Sequence, residues 1–207
     1  MHRPDSPHRM PAPVAQGYDA LVGPLEGVVF GGHRRDLGEG VDGVVLDLGG
    51  GTGRQLERLQ GADHVILIDP DERMLTRAAR RAGEGHAVVA AQAEALPLGD
   101  DSCDHVVASL VLCTVRDVGV TLAEVRRVLR PGGQLRFFEH VAAAGAVGRL
   151  QRAVDPLWRR VAGGCHLHRE TEQHLRGAPG LRLVRLERLA VGIPPVYPCI
   201  RGVAVAD

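Results

Sequence analysis

Three glycines at alternate positions after an acid are the residues of this chain best suited to chemistry. Asp47 lies in the apolar run 44–48, and Gly49, Gly51 and Gly53 follow that run. Glycine tolerates a positive φ, and it lets a ligand approach the main chain because it has no Cβ. The segment predicts a buried strand, a tight turn and a helix start, whose first N–H groups can receive a carboxylate.

The spacing of these glycines excludes two phosphate-binding loops. A dinucleotide fingerprint requires glycine at the sixth position, but the sixth residue counted from Gly49 is Arg54. A Walker A loop requires a lysine, and all 25 Lys-plus-Arg residues of the chain are arginines. The pattern that remains is D-x-G-x-G-x-G, which a purely structural glycine-rich turn could also produce.

Further blocks reduce that ambiguity, because they follow the glycine loop in the order and at the spacing of one family. These blocks are 64–70, 93–97, 101–108 and 129–133. Together with the loop they resemble the class I S-adenosylmethionine (SAM) methyltransferases with a type 11 methyltransferase domain. The resemblance implies a Rossmann-like α/β fold and SAM as the cofactor.

The resemblance also implies roles for single residues around SAM. Asp47 would orient the glycine loop and act on the SAM amino group through water, and Asp69 would bind both ribose hydroxyls. Gln92 stands where the family often has Asp, so backbone groups of Ala93 and Glu94 would recognise adenine. The residues predicted to bind the cofactor are Asp47, Gly49, Gly51, Gly53, Asp69, Met74, Gln92, Ala93, Glu94 and Leu110. Met74 and Leu110 could equally be core residues.

The acceptor side shows a closer resemblance, to the methyltransferase-like alkyl-thiol S-methyltransferases. Its blocks are 110–115, 139–141, 155–158 and 164–170. This resemblance implies a small-molecule acceptor, with a thiol favoured. His140 ends the fifth strand at the carboxyl edge of the sheet, where it could orient the acceptor, take its proton or simply cap the strand. His140 and His166 are therefore the predicted catalytic residues.

Two other functions remain open. One is methylation of a small oxygen, nitrogen or carbon acceptor of natural-product or quinone type. The other is SAM binding without methylation, as in a cyclase or a regulator.

A metal centre is not expected from the sequence. Cys165, His166 and His168, with His174 as a nearby fourth, lack the paired spacing of structural zinc sites. The four cysteines lack a C-x-x-C pair and are predicted to be free thiols, with Cys113 buried and inert.

Composition limits the location and the partners. The formal net charge is zero, which argues against nucleic acid or an anionic membrane as the main partner. We find no apolar run near 18 residues and no signal peptide, so we expect a cytoplasmic protein without a stable membrane anchor. The S-methyltransferases that it resembles carry such an anchor. The oligomeric state stays open.

The elements that must position these residues follow from periodicity. We predict a flexible arm at 1–13 and a single domain at 14–207, with lid segments near 14–40 and 145–175. The lid before the sheet is expected to be helical from Tyr18 to Leu37, with interruptions at Gly23-Pro24 and Gly31-Gly32.

The expected fold is a seven-stranded, mostly parallel sheet flanked by helices. Five strands are expected near 44–48, 64–68, 86–90, 104–109 and 134–140, with a C-terminal pair near 181–189 and 199–205. Helices are expected near 53–60, 71–82, 117–130 and 146–161.

Overall fold

The computed structural model describes residues 32–192 and 194–207, and a seven-stranded sheet forms its centre. The strands are β1 Val44–Leu48, β2 His64–Asp69, β3 Ala87–Ala90, β4 Cys103–Ser109, β5 Leu129–His140, β6 Leu181–Leu189 and β7 Cys199–Ala206. Their order is β3-β2-β1-β4-β5-β7-β6, and β7 pairs antiparallel with both of its neighbours. The predicted Rossmann-like, mostly parallel sheet is confirmed.

Helices flank the sheet, and those that follow β2 and β4 connect neighbouring parallel strands. They are α1 at 32–38, α2 Glu72–Arg81, α3 Val118–Val128, α4 Gly145–Val161 and α5 Thr171–Gly177. Two of them begin at an aspartate whose side chain accepts a backbone N–H of the first turn. Asp71 caps α2 and Asp117 caps α3, each at 3.0 Å.

The helix predicted at 53–60 is wrong. The residues after the glycine loop form turns, followed by a short 3₁₀-helix, Leu56–Arg58. Gly53 has a φ of 79°, a left-handed conformation that an α-helix cannot include. Hydrogen bonds of the i to i+3 type, such as Leu59 N to Leu56 O at 3.1 Å, then shape the segment.

Other differences from the predicted elements are smaller. Helix α5 was not predicted, and β5 begins five residues before the expected position because it includes an irregular Pro-Gly-Gly stretch. The predicted arm at 1–13 and the lid residues before 32 lie outside the described residues. Gly32 is the first described residue of α1, and the predicted interruption at Gly31-Gly32 therefore lies at the edge of the described residues.

The sheet is covered on both faces, because successive strand residues point to opposite sides. Val106 and Phe137 pack in one core cluster, and Val107 and Phe138 pack in the other; none of the four is accessible to solvent. Such continuous burial is typical of parallel strands. In the part of the chain that the structure describes, no helix is both long and apolar enough to cross a membrane.

We predict that Gly49→Ala destabilises the fold much more than Gly83→Ala. Gly49 has a φ of 62°, and a Cβ added there would overlap Val111 Cγ2, whereas a Cβ at Gly83 would meet nothing within 4 Å. The first substitution should lower the free energy of unfolding by more than about 1 kcal/mol, and the second should change it by less. Urea unfolding of both variants measures this, and equal midpoints would contradict it.

Candidate functional site

The amides of the glycine loop donate hydrogen bonds to residues at the carboxyl end of β2. Gly49, Gly51 and Gly53 have φ values of 62°, 55° and 79°, so their backbones adopt conformations that other residues rarely tolerate. Gly51 N donates to Asp69 Oδ2 at 3.0 Å. The three predicted glycines and the acid at the end of β2 therefore form one unit.

Asp69 accepts backbone amides on both carboxylate oxygens, one from the glycine loop and one from the residue before α2. Oδ2 accepts the Gly51 amide, and Oδ1 accepts the Asp71 amide at 2.8 Å. Burial raises the pKa of Asp69, and these two amides oppose that shift. Each carboxylate oxygen has a second lone pair, so Asp69 can still accept hydrogen bonds from a ligand.

Asp47 is a buried acid that lacks a partner on one oxygen. Its side chain is 2% exposed, and Oδ2 has no hydrogen bond to any residue in 32–192 or 194–207. This oxygen lies beneath Gly50, where an added Cβ would approach it to 2.6 Å. Burial raises the pKa of Asp47 to about 7, against the lowering effect of Arg34. A cationic ligand group at the loop would satisfy this oxygen, since buried polar atoms normally have partners.

The residues predicted for the adenine side form the turn after β3. Glu94 Oε1 accepts the Arg116 amide at 2.6 Å and the Asp117 amide at 3.4 Å, so this side chain points to the start of α3. These hydrogen bonds thus connect the turn that contains Ala93 and Glu94 to the start of α3. Met74 is buried on α2, which fits a core contact as well as an adenine contact.

Leu110 is held in the left-handed region immediately after β4. Its φ is 58°, and its amide donates to Phe138 O at 2.8 Å. Such a conformation in a non-glycine residue costs about 1–3 kcal/mol and persists only where the surroundings impose it. Leu110 thus marks a strained position directly after β4.

Glu139 binds the amides of the three residues that follow Leu110, and sequence reasoning gave it no role. It is fully buried, and its carboxylate accepts the amides of Val111 and Leu112, both at 2.9 Å, and of Cys113 at 3.3 Å. Burial raises the pKa of Glu139 to about 7, and the three amides oppose this. An acid inside an otherwise buried strand was the sequence signal.

His140 points to the opposite face of β5 and lies in a buried cluster with two cysteines. The side chain is 2% exposed, and Nε2 lies 2.7 Å from Cys165 Sγ. Trp158 Nε1 donates to the same sulfur at 3.3 Å. The ligand-capable atoms of Cys113, His140 and Cys165 all lie within 4.8 Å of one another. We call these three residues the Cys-His-Cys cluster.

The Cys-His-Cys cluster favours a thiolate at Cys165. Hydrogen bonding from Cys113 and His140 lowers the pKa of Cys165 to about 5, although burial acts in the opposite direction. The same contact with Cys165 raises the pKa of Cys113. Burial alone would lower the pKa of His140, but Cys165 raises it above its ordinary value. Cys113 is buried as predicted, but it interacts with Cys165.

The second predicted catalytic residue, His166, lies beside this cluster. Its amide donates to Cys113 O at 2.8 Å, and its imidazole is half-buried. Burial lowers the pKa of His166 to about 4, and Arg169 and Arg159 add to that effect. The imidazole is therefore neutral at pH 7 and would be a weak base.

The ligand set considered from sequence does not contain the cluster that the structure forms. His168 is exposed and lies 3.4 Å from Asp155, and His174 is exposed beside Glu170 O. Of that set, only Cys165 belongs to the Cys-His-Cys cluster. The cluster was missed because its members come from three separate segments of the chain.

Comparisons with known proteins agree with this geometry. The family described as Methyltransferase domain matches residues 46–137. Thiol S-methyltransferase TMT1B of Homo sapiens is 38% identical over 78% of this chain and 70% of its own length, and human TMT1A is 36% identical over the same shares. The crystal structure of a SAM-dependent methyltransferase from Mesorhizobium loti is 25% identical, with a TM-score of 0.69 over 87% of this chain and 99% of its own.

The glycine loop, the acids at the carboxyl ends of β1 and β2, and these matches lead to one conclusion. SAM is the cofactor, and the enzyme transfers a methyl group. The chain belongs to the class I SAM-dependent methyltransferases, in the family that includes the thiol S-methyltransferases.

Proposed function

We propose that this methyltransferase acts on a small-molecule thiol. The observation that carries the proposal is the lack of a suitable free base among the described residues at the carboxyl edge of β4 and β5. His166 has a pKa of about 4, and His140 is buried against Cys165. A thiol, with a pKa near 8.5, is already partly ionised at neutral pH and needs the least help. The names of the two human relatives support the same acceptor.

Bound SAM supplies a methyl group already activated by a positively charged sulfur. The residues of this chain have to hold the acceptor and the methyl group in line and exclude water, since orientation can supply much of the barrier reduction. The glycine loop and Asp69 would fix one side of the reaction, and Leu110 would separate it from the acceptor. The segment 155–170, with Trp158, would close the acceptor side.

We propose that the ten residues predicted from sequence form the cofactor site. Asp47 and Asp69 carry most of its specificity, because they present carboxylate oxygens at the ends of β1 and β2. Gln92, Ala93 and Glu94 would contact adenine through the turn after β3, while Met74 and Leu110 would contribute apolar surface.

Asp69→Ala should weaken SAM binding strongly. Loss of hydrogen bonds to a charged acceptor costs on the order of 2–3 kcal/mol, which corresponds to about 30-fold or more in Kd. Asp63→Ala is the matched control, because Asp63 is exposed and precedes the opposite end of β2. Calorimetry on both variants, with thermal unfolding to check the fold, measures this. Unchanged affinity in folded Asp69→Ala would refute the assignment.

SAM affinity should increase as the pH rises toward 7. Burial raises the pKa of Asp47 to about 7, so below that pH the carboxyl is protonated in the free enzyme. A cationic amino group binds best to the ionised form, and the carboxyl must then lose its proton on binding. The slope of log Kd should approach about one decade per pH unit well below the pKa and vanish above it.

Asp47→Asn provides the control for this prediction, because an amide does not titrate in this range. The variant should bind SAM more weakly at pH 7 and should lose most of the pH dependence. Calorimetric titrations between about pH 5.5 and 7.5 measure both effects. An equal slope in the wild type and the variant would assign the titration to another group.

Thiol methylation should decrease at least tenfold in His140→Ala and in His166→Ala, since a poorly positioned acceptor can cost about 10²-fold in rate. SAM affinity should change little in both variants. His174→Ala, an exposed histidine on α5, is the control. Turnover of small alkyl and aryl thiols, with SAM affinity measured in parallel, tests this.

Two outcomes of the same assay would overturn parts of the proposal. Wild-type-like turnover in both variants would remove the histidines from the mechanism. Turnover of a phenol, an amine or a carbon acceptor beside no turnover of any thiol would establish the alternative acceptor class.

A further inference from the structure

We propose that Cys113, His140 and Cys165 bind one zinc ion, whose fourth coordination position receives the sulfur of the acceptor. The second half of this inference rests on the proposed thiol methylation. The first half, metal binding, does not depend on it.

The ligand types and their arrangement are those of a catalytic zinc site. Thiolates and imidazole nitrogens are the preferred zinc ligands, and catalytic sites have three protein ligands with one position open. The three ligand-capable atoms lie within 4.8 Å of one another, and all three residues are buried. Three separate segments supply them: the loop after β4, the end of β5 and the loop after α4.

Hydrogen bonds to backbone carbonyls connect the two cysteine loops to each other. The His166 amide donates to Cys113 O at 2.8 Å, and Arg169 Nη1 donates to Leu112 O at 3.0 Å. Glu139 holds the Cys113 amide from the other side. The Leu167 amide donates to the buried carboxylate of Asp155 at 2.8 Å. The ligands thus belong to backbone segments that are held in place independently of any ion.

The required change in geometry is small. Tetrahedral zinc with bonds of about 2.0–2.1 Å to nitrogen and 2.3 Å to sulfur places a nitrogen and a sulfur ligand about 3.6 Å apart, and two sulfur ligands about 3.8 Å apart. His140 Nε2 and Cys165 Sγ lie 2.7 Å apart, so they would separate by about 0.9 Å. Trp158 Nε1 already donates to Cys165 Sγ, as an outer hydrogen bond to a metal-bound thiolate would.

The charges around the cluster suit a divalent ion. Two thiolates and a neutral imidazole balance the two positive charges of zinc. Arg169, which is half-buried near the cysteines, and the carboxyl group of Glu139 contribute opposite charges nearby. A further thiolate would give the site a net charge of −1, which the positive sulfonium of bound SAM and the nearby guanidinium of Arg169 would offset.

The chemistry follows from the open position. The acceptor RSH binds through its sulfur and releases its proton to water, because zinc coordination lowers the pKa of a bound thiol. The sulfur then forms a bond to the methyl carbon of SAM. The bond from that carbon to the sulfonium sulfur breaks, and its electron pair stays on the leaving sulfur. The products are RSCH₃, S-adenosylhomocysteine and one proton, so atoms and charge balance.

This site differs from the one that sequence spacing argued against. Paired spacing identifies structural zinc sites with four ligands, whereas a three-ligand site with an open position needs no such pairs. Cys113 and His140 are 27 residues apart in number, and Cys165 follows 25 residues after His140, so only the folded chain assembles the set.

Metal analysis of the purified full chain tests the inference. Zinc content is measured by mass spectrometry after purification with added zinc and a phosphine reductant. Cobalt is then added to chelator-treated protein while the absorption bands of tetrahedral, thiolate-bound cobalt are followed. We expect one ion per chain. Cys113→Ala and Cys165→Ala should each weaken binding about 100-fold or more, and Cys103→Ala, at the distant start of β4, should bind normally. Thermal unfolding and SAM affinity check that each variant is folded.

The outcomes distinguish metal binding from the role of the metal in thiol methylation. Failure to bind zinc or cobalt, or binding that survives in both folded cysteine variants, overturns the metal site. Equal thiol turnover in the chelated and the metal-loaded enzyme overturns the role of the metal in activating the acceptor and leaves thiol methylation standing. A metal-bound enzyme that methylates only other acceptors refutes the thiol proposal and leaves the metal site standing.

Discussion

The buried carboxylate of Glu139 is the contact on which both halves of the site depend. An ionised group in a dry interior is costly unless hydrogen bonds compensate it, and three consecutive amides do so here. Those amides belong to the residues after Leu110, so they help to hold that residue at its positive φ. Val111 in turn contacts Gly49, while Cys113 belongs to the Cys-His-Cys cluster. One side chain therefore connects the cofactor loop to the proposed acceptor site.

A second buried polar side chain, that of Gln151, positions the elements around the proposed acceptor site. Gln151 of α4 is inaccessible to solvent, and its amide group bonds to backbone groups in the segment after β5 and in the segment before β7. Its Oε1 accepts the Ala143 amide at 2.7 Å, and its Nε2 donates to Val141 O and Tyr197 O at 3.2 and 3.0 Å. Helix α4 thus has a fixed place against the end of the sheet. Trp158 and the loop that carries Cys165 take their positions from that helix.

Sequence patterns predicted those features that depend on near neighbours. The strand β1, the glycine loop and the acid at Asp69 follow from short apolar runs, from the backbone freedom of glycine and from the place of an acid at a strand end. The helix at 53–60 failed because the same glycine freedom that forms the loop continues through Gly53 and delays regular structure. The spacing of polar and apolar residues in 53–60 gives no information on the backbone conformation of Gly53.

The features that sequence did not predict are those that need long-range contacts. Nothing local indicated that Glu139 would receive three amides from a loop 26 to 28 residues earlier. The Cys-His-Cys cluster arises in the same way. Cysteines without paired spacing give no signal in a sequence, and their meaning depends on which strands are neighbours in the sheet.

The buried acids also have a thermodynamic consequence for the fold. The pKa values of Asp47 and Glu139 are raised from 3.8 and 4.5 to about 7 by burial. The folded protein therefore binds more protons than the unfolded chain between about pH 4 and 7, and these two groups reduce stability as the pH rises through that range. A cationic ligand group at Asp47 stabilises its ionised form and so recovers part of that loss. The stability cost of a buried, incompletely paired acid and its preference for a cationic cofactor thus have the same physical origin.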